Sequence, residues 1–445
     1  MTRAPNLDDV LTKQRRIALL AAESPQMAFT SLNHYLDLDW LREAFRRTRK
    51  NGAPGIDGQT WADYEVDLEE NLQSLLNRAK SGTYRAPPVR RVHIPKGGSA
   101  TETRPIGIPT LEDKVLQRAV AMILEAVYRW DFLPCSYGFR RGCSAHQALE
   151  DLWKQSMDLQ IVCVLDVDVQ KFFDTLDHGH LRELLQLRIR DGVLLRLIGK
   201  WLHAGVLEEG VLSYPDAGSP QGGVISPMLA NVYLHYVLDV WFHKVVLSRL
   251  RGRAFLIRFA DDFVIGFTNE SDSRRVQDVL PKRFGKYGLT IHPEKTRLVP
   301  FQKPQRSERR SEPKQPGTFD FLGFTHYWAQ SRKGNWVIKR KTASNRFSRS
   351  LRAITQWCRR NRHVPLADQH RSLCQKLRGH FSYYGITGNS ASLQAFRREA
   401  TRSWYKWLRR RNNRRLSWAW FNRLLGRYPL PPAHAIHSVC RVAKS

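Results

Sequence analysis

The stretch Phe255-Leu-Ile-Arg-Phe-Ala-Asp-Asp-Phe-Val-Ile-Gly-Phe267 sets two adjacent acids, Asp261 and Asp262, between two short apolar runs. Each run reads as a buried strand, which puts the acids at or near a hairpin turn. Two like charges are poorly placed there, and the pair lacks the glycine that tight hairpin turns prefer. Turn acids are commonly no more than solvated. A divalent cation would remove the repulsion, however, and carboxylates are natural Mg²⁺ ligands beside a phosphate-bearing substrate.

A second apolar run, Ile161-Val-Cys-Val-Leu-Asp-Val-Asp-Val169, reads as one strand and carries further acids. Asp166 and Asp168 lie two apart and so share a face, which leaves periodicity unable to choose between them. Acids from two strands are enough for two-metal phosphoryl transfer, because phosphate and water oxygens fill the remaining sites.

The chain has 445 residues, long enough for two or three domains, with 42% hydrophobic and 25% charged residues. Its net charge of +31 repels itself unless an anionic polymer or surface lies against it. Nucleic acid is the first candidate. A membrane is disfavoured by the lack of a long apolar span and a mean hydropathy of −0.47. The N-terminus lacks the layout of a secretory signal. Cys135, Cys143, Cys163, Cys358, Cys374 and Cys440 form no Cys-x-x-Cys pair and read as reduced packing residues of a cytosolic protein.

Along the chain, residues 8–80 read as helices interrupted at Asn51–Gly58, residues 85–110 as a basic hairpin, and 111–129 as a helix. Strands and helices then alternate to about residue 300, as in an α/β or α+β body. Residues 300–317 read as an exposed loop, followed by a strand pair at 318–324 and 335–339 and then basic helices. In the segment 401–415, seven basic residues occur without an acid, interleaved with Trp404, Tyr405 and Trp407. The rings can bury one face while the cations, Arg409, Arg410 and Arg411 among them, meet phosphates.

Eight blocks in order carry a family resemblance: 46–58, Val92–Lys96 with Arg104–Pro109, Ser136-Tyr-Gly-Phe-Arg140, Asp168-Val-Gln-Lys-Phe-Phe-Asp174, Gly218–Pro227, Phe259-Ala-Asp-Asp262, Pro293-Glu-Lys-Thr296 and Phe319-Asp-Phe-Leu-Gly-Phe324. Together they resemble the bacterial group II intron reverse transcriptase/maturase family over nearly the whole chain. The resemblance implies an α+β right-hand polymerase with fingers, palm and helical thumb. It assigns 1–84 to an N-terminal extension with the first fingers block, 85–330 to fingers and palm, 331–430 to the thumb/maturase region and 431–445 to a short tail without a nuclease module. It also implies two Mg²⁺ ions held by Asp168, the Val169 carbonyl, Asp261 and Asp262, with Asp166 a supporting acid. Lys96 and Arg104 then clamp the incoming triphosphate, Phe173 excludes the 2′-hydroxyl, Gln221 lies at the template–nucleotide pair, and Lys295 is a general acid. Leu322 and Gly323 fall in the primer grip, and Asp174 is expected to cap the following helix.

The implied partners are group II intron RNA, a DNA target and primer, and dNTPs, with no membrane; a homodimer is allowed. The implied setting is the bacterial cytoplasm, at the nucleoid when on DNA. The rivals are a maturase that binds RNA without polymerising, and a host-adapted reverse transcriptase in DNA repair or phage defence.

Overall fold

A computed structural model describes residues 7–95, 103–214, 217–218, 222–304, 317–411 and 416–437. The chain divides into two units, the first of residues 1–145, 165–265 and 270–298, the second of 146–164, 266–269 and 299–445. Both combine helices and strands.

The first unit opens with helices α1 (Leu7–Glu23), α2 (Leu38–Arg47), α3 (Trp61–Val66) and α4 (Leu68–Ser81). Asp37 caps α2, and Thr60 with Asp63 closes a capping box on α3, satisfying N–H groups that have no partner within the helix. Strands β1 (Val89–Pro95) and β2 (Thr103–Ile108) form the expected basic antiparallel hairpin. Helix α5 (Leu111–Val127), capped by Thr110, is buried on most sides, as its apolar composition demands.

After α6 (Ala145–Leu159), which falls almost wholly in the second unit, come β3 (Cys163–Val167), β4 (Val169–Gln170), α7 (His178–Gln186) and α8 (Gly192–Leu202). Next are β5 (Val206–Glu208), β6 (Val211–Ser213) and α9 (Ser226–Leu234), the last continued by π-helical turns His235–Asp239 and Phe242–Val246. Strands β7 (Ala254–Phe259) and β8 (Asp262–Phe267), α10 (Glu270–Gly285), β9 (Thr290–Ile291) and β10 (Arg297–Pro300) follow. The main sheet has the order β10-β3-β8-β7, a second has β2-β1-β5-β6, and β4 pairs with β9 alone. No described helix is long and apolar enough to cross a membrane.

The second unit holds the antiparallel sheet β11 (Phe319–Phe321), β12 (Phe324–Gln330) and β13 (Trp336–Thr342). Helices α11 (Ser344–Arg360), α12 (Leu366–Tyr384), α13 (Ser390–Arg409) and α14 (Trp418–Arg427) pack around Leu373, Phe381, Phe396, Trp404 and Phe421.

Two expected strands are corrected. The run 161–169 is not one strand: it breaks at Asp168, because β3 and β4 bond to different neighbours. The run 318–324 is not one strand either. Leu322 (φ 49°) and Gly323 (φ 80°) turn the chain so that β11 pairs with β12, whose residues 325–330 had no strand expectation. Asp174 is not the helix cap; Asp177 is, accepting from the His180 N–H at 2.7 Å.

The segment 135–138 braces β7, an edge strand. Arg258 donates its backbone N–H to the Cys135 carbonyl (2.8 Å), and Tyr137 donates to the Arg258 carbonyl (2.9 Å). These bonds cover an edge that would otherwise expose unpaired backbone. Gly138 then runs so close to the hairpin turn that a Cβ there would lie 2.1 Å from the Ala260 nitrogen. Gly138→Ala is therefore expected to destabilise the protein by about 1–3 kcal/mol through overpacking, read as a lowered midpoint in urea unfolding.

Candidate active site

Strands β7 and β8 are joined by the two residues Ala260 and Asp261. Ala260 takes φ 59°, a left-handed conformation that costs a non-glycine residue free energy and persists only where the surroundings hold it. The holding group is Arg258. Its guanidinium donates to the Ala260 carbonyl (3.0 Å), Asn231 Oδ1 (3.0 Å), Ser136 Oγ (2.7 Å) and both carboxylate oxygens of Asp239 (2.8 and 2.6 Å). All five guanidinium N–H groups are thus used. Arg258 and Asp239 are wholly excluded from solvent. Asn231 also donates to the Gly138 carbonyl at 2.7 Å, tying the brace to the same cluster.

Asp261 is partly buried and Asp262, opening β8, is exposed. Burial pushes the Asp261 carboxyl above the ordinary carboxylate range, and the Asp168 charge adds to the push. Its own backbone N–H and the cations Arg104 and Arg258 pull it back. The fold therefore brings Asp168, Asp261 and Arg104 within electrostatic reach of one another.

Asp168 is held from both sides by the segment 292–296. The His292 N–H donates to the Asp168 carbonyl at 2.8 Å, and Asp168 donates its own N–H to Thr296 Oγ1 at 3.4 Å. This puts Lys295 Nζ 3.2 Å from Asp168 Oδ2. Asp166 is engaged elsewhere, by Arg297 at 3.4 Å. The two neighbouring acids thus have separate cationic partners, a difference that period-two reading does not supply.

Oxygen donors on Asp168 and Asp261, with a carboxyl whose charge is costly where it sits, fit a hard divalent cation. Among the described residues no group of three His, Cys, Asp or Glu side chains forms a metal cage. Phosphate and water oxygens would complete the coordination, as is usual for Mg²⁺ at a phosphate substrate.

Val169 is buried in β4, opposite Ile291. Phe172 takes the core position and packs edge-on against Phe173 (5.4 Å), which is left half-buried just beyond β4. Lys96 and Gln221 lie outside the described residues. Near Gln221, Gly222 (φ 116°) passes so close to β2 that a Cβ would lie 2.5 Å from the Gly107 carbonyl, so that glycine serves approach to β2 itself. In the second unit the Leu322 carbonyl accepts from Tyr383 Oη at 2.8 Å. Arg409 and Arg410 are exposed, each over a ring, Tyr405 (5.7 Å) and Trp407 (5.1 Å). Arg411 instead donates to the Val364 and His363 carbonyls (3.3 and 3.4 Å). Trp404 is core, as the interleaving implies, and Arg402 pairs with Glu399 at 2.6 Å, just upstream of the acid-free segment.

Sequence reading passed over Arg258, Asp239 and Asn231. The signal was there: a charge inside an apolar strand has to be paired if buried. Arg258→Met is expected to cost about 3–5 kcal/mol because it strands a buried Asp239 charge. Arg258→Met with Asp239→Leu should recover most of that in urea unfolding, and if the double variant is no more stable than the single, the pair is not the source of the cost.

Residues 94–326 match the family described as reverse transcriptase (RNA-dependent DNA polymerase). The chain is 34% identical over 285 residues to protein YkfC of Escherichia coli, covering 57% of this chain and 74% of that protein. It is 36% identical over 223 residues to the group II intron-encoded protein LtrA of Lactococcus lactis, covering 49% of this chain and 36% of LtrA. A putative COX1/OXI3 intron 1 protein of Saccharomyces cerevisiae is 26% identical over 313 residues, 59% of this chain and 37% of that protein. The chain thus spans about a third of the two intron proteins. The resemblance carried by the motif blocks is borne out, and the site just described lies within the matched region: the chain belongs to the reverse transcriptase (RNA-dependent DNA polymerase) family.

Proposed function

We propose that the chain copies RNA into DNA at the Asp168–Asp261 site, as the reverse transcriptase and maturase of a group II intron. The observation that carries this reading is that Asp168, Asp261 and Arg104 lie within electrostatic reach of one another in the first unit, with Lys295 3.2 Å from Asp168.

In this reading Asp168, Asp261, Asp262 and the Val169 carbonyl hold two Mg²⁺ ions, which when bound activate the primer 3′-oxygen and stabilise the triphosphate charge. Arg104, with Lys96, binds phosphate oxygens of the dNTP, where fixed cations offset charge redistributed during transfer. Lys295, 3.2 Å from Asp168 Oδ2, turns to the phosphates when the triphosphate binds and gives a proton to the departing pyrophosphate. Phe173, its ring buttressed by Phe172, lies beneath the sugar and excludes a 2′-hydroxyl. Gln221 orients the template–nucleotide pair, and Leu322 with Gly323 positions the primer end.

The right-hand arrangement follows the same assignment, with 1–84 as extension and first fingers block, 85–330 as fingers and palm, 331–430 as thumb/maturase region and 431–445 as tail. Arg409 and Arg410, exposed guanidinium groups that lie over the half-buried rings of Tyr405 and Trp407, are the phosphate contacts of that thumb; Arg411 is partly committed to carbonyls of its own unit. Intron RNA, a DNA target with primer, and dNTPs are the partners.

The test is primer extension on an RNA template with Mg²⁺ and dNTPs. Asp261→Asn should lower extension by about a hundred- to a thousandfold while RNA affinity stays within about twofold, on the scale of losing a main electrostatic contributor. Extension by that variant at wild-type rate would remove Asp261 from the metal site. Phe173→Ala should raise ribonucleotide incorporation relative to dNTP, and unchanged selectivity would leave Phe173 as packing alone.

A further inference from the structure

A cavity of about 510 Å³ opens in the first unit between α1, the end of α5 and the loop 139–142, with Met228 of α9 in its wall. That volume suits a small organic group such as a nucleotide. Three features of its lining point to what it takes.

Phe139 lines the cavity, 56% exposed, with φ 57°. A bulky residue in the left-handed region is costly, and such strain is characteristically kept where the side chain is used. Its neighbours are fixed. Gly138 is jammed against the Ala260 backbone, and the Arg140 guanidinium donates to the Leu133 and Ser136 carbonyls (2.7 and 2.6 Å). The ring is therefore presented from a rigid backbone, as a stacking platform has to be.

Arg15, Arg129 and Arg141 also line the cavity and are exposed, and none of them forms a salt bridge among the described residues. Three such guanidinium groups invite phosphate. The lining also includes one acid, the half-buried Glu125. Burial pushes its carboxyl up, while Arg118, Arg47 and Arg141 draw it down. A pocket for phosphate alone gains nothing from a carboxylate, whereas a base with an N–H edge does.

We propose that this cavity captures one unstacked nucleotide of single-stranded RNA, its base on Phe139, its flanking phosphates on Arg15, Arg129 and Arg141, and the donor edge of guanine on Glu125. Guanine presents two adjacent N–H donors on its pairing edge, which match the two oxygens of a carboxylate. The site rests on the reading of the chain as an RNA-handling enzyme and adds to it an RNA contact separate from the catalytic carboxylates. Stacking of single-stranded bases on aromatic rings, with cationic contacts to the backbone, is a general mode of such binding.

The experiment is fluorescence anisotropy with the full chain, without Mg²⁺ or dNTPs, so that no polymerisation contributes. The probes are labelled, unstructured RNAs of roughly twelve nucleotides, one uridine-rich with interspersed guanines and one all-uridine, beside a blunt RNA hairpin. Phe139→Gly removes the ring and suits the left-handed backbone, so the variant should melt no lower than wild type. It is expected to bind the guanine-containing strand about tenfold more weakly with the hairpin affinity unchanged, and Phe139→Tyr should restore binding. Glu125→Gln should abolish the preference for that strand over all-uridine RNA. Wild-type single-strand affinity in Phe139→Gly, or an equal loss for strand and hairpin, would overturn the proposal. The two readings fail separately: primer extension with Phe139-independent RNA binding removes only this site, and Phe139-dependent binding without extension removes only the polymerase.

Discussion

Arg258 is a guanidinium with no access to water, and everything at the candidate site depends on how that charge is satisfied. Its counter-ion comes from Asp239 on the π-helical continuation of α9, its remaining donors go to Ser136, Asn231 and Ala260, and no N–H is left over. A buried pair of this kind contributes little net stability by itself, because desolvation cancels much of the attraction. What it contributes is geometry. A helix, a loop and a strand are pinned to one planar group, and the carbonyl of a residue in an unfavourable conformation is one of the five acceptors. The turn that carries Asp261 is thereby held in a shape that its own sequence would not choose.

The charges around that turn follow a consistent arrangement. Asp166 faces Arg297 and Asp168 faces Lys295, while Arg104 and Arg258 offset the cost of burying Asp261. Local positive charge thus lies close to each acid, and the large excess elsewhere, +31 overall, is left for an anionic partner. In the second unit the excess is displayed on rings: Arg359, Lys406 and Arg410 all lie within 6 Å of the Trp407 ring. Cations held over aromatic faces remain available to phosphate, in contrast to Arg411, which spends its donors on carbonyls.

Much of this was legible in the residues. The apolar runs flanking Asp261 and Asp262 identify the hairpin, and the basic hairpin near residue 90, the buried helix α5 and the basic helices beyond 340 follow from composition and period. The illegible parts depend on contacts distant in sequence. Ala260 is left-handed because Arg258 and Gly138 hold it, and Gly138 lies more than a hundred residues upstream. The break at Asp168 arises because β4 pairs with β9 while β3 pairs with β8 and β10, a choice that no local pattern encodes. Leu322 does what a glycine ordinarily would, so the turn between β11 and β12 is hidden by an apolar residue. Arg258 was visible as a charge in an apolar strand, but its partners were not.

The most direct measurement is a crystal structure of the chain with an RNA template, a chain-terminated DNA primer, a matched dNTP and Mg²⁺. The account requires metal density between the Asp168 and Asp261 carboxylates, Lys295 directed to the phosphates rather than to Asp168, and the Arg258 cluster unmoved beneath the turn. Metal bound away from both aspartates, or an Ala260 turn remodelled with Arg258 released, would contradict it.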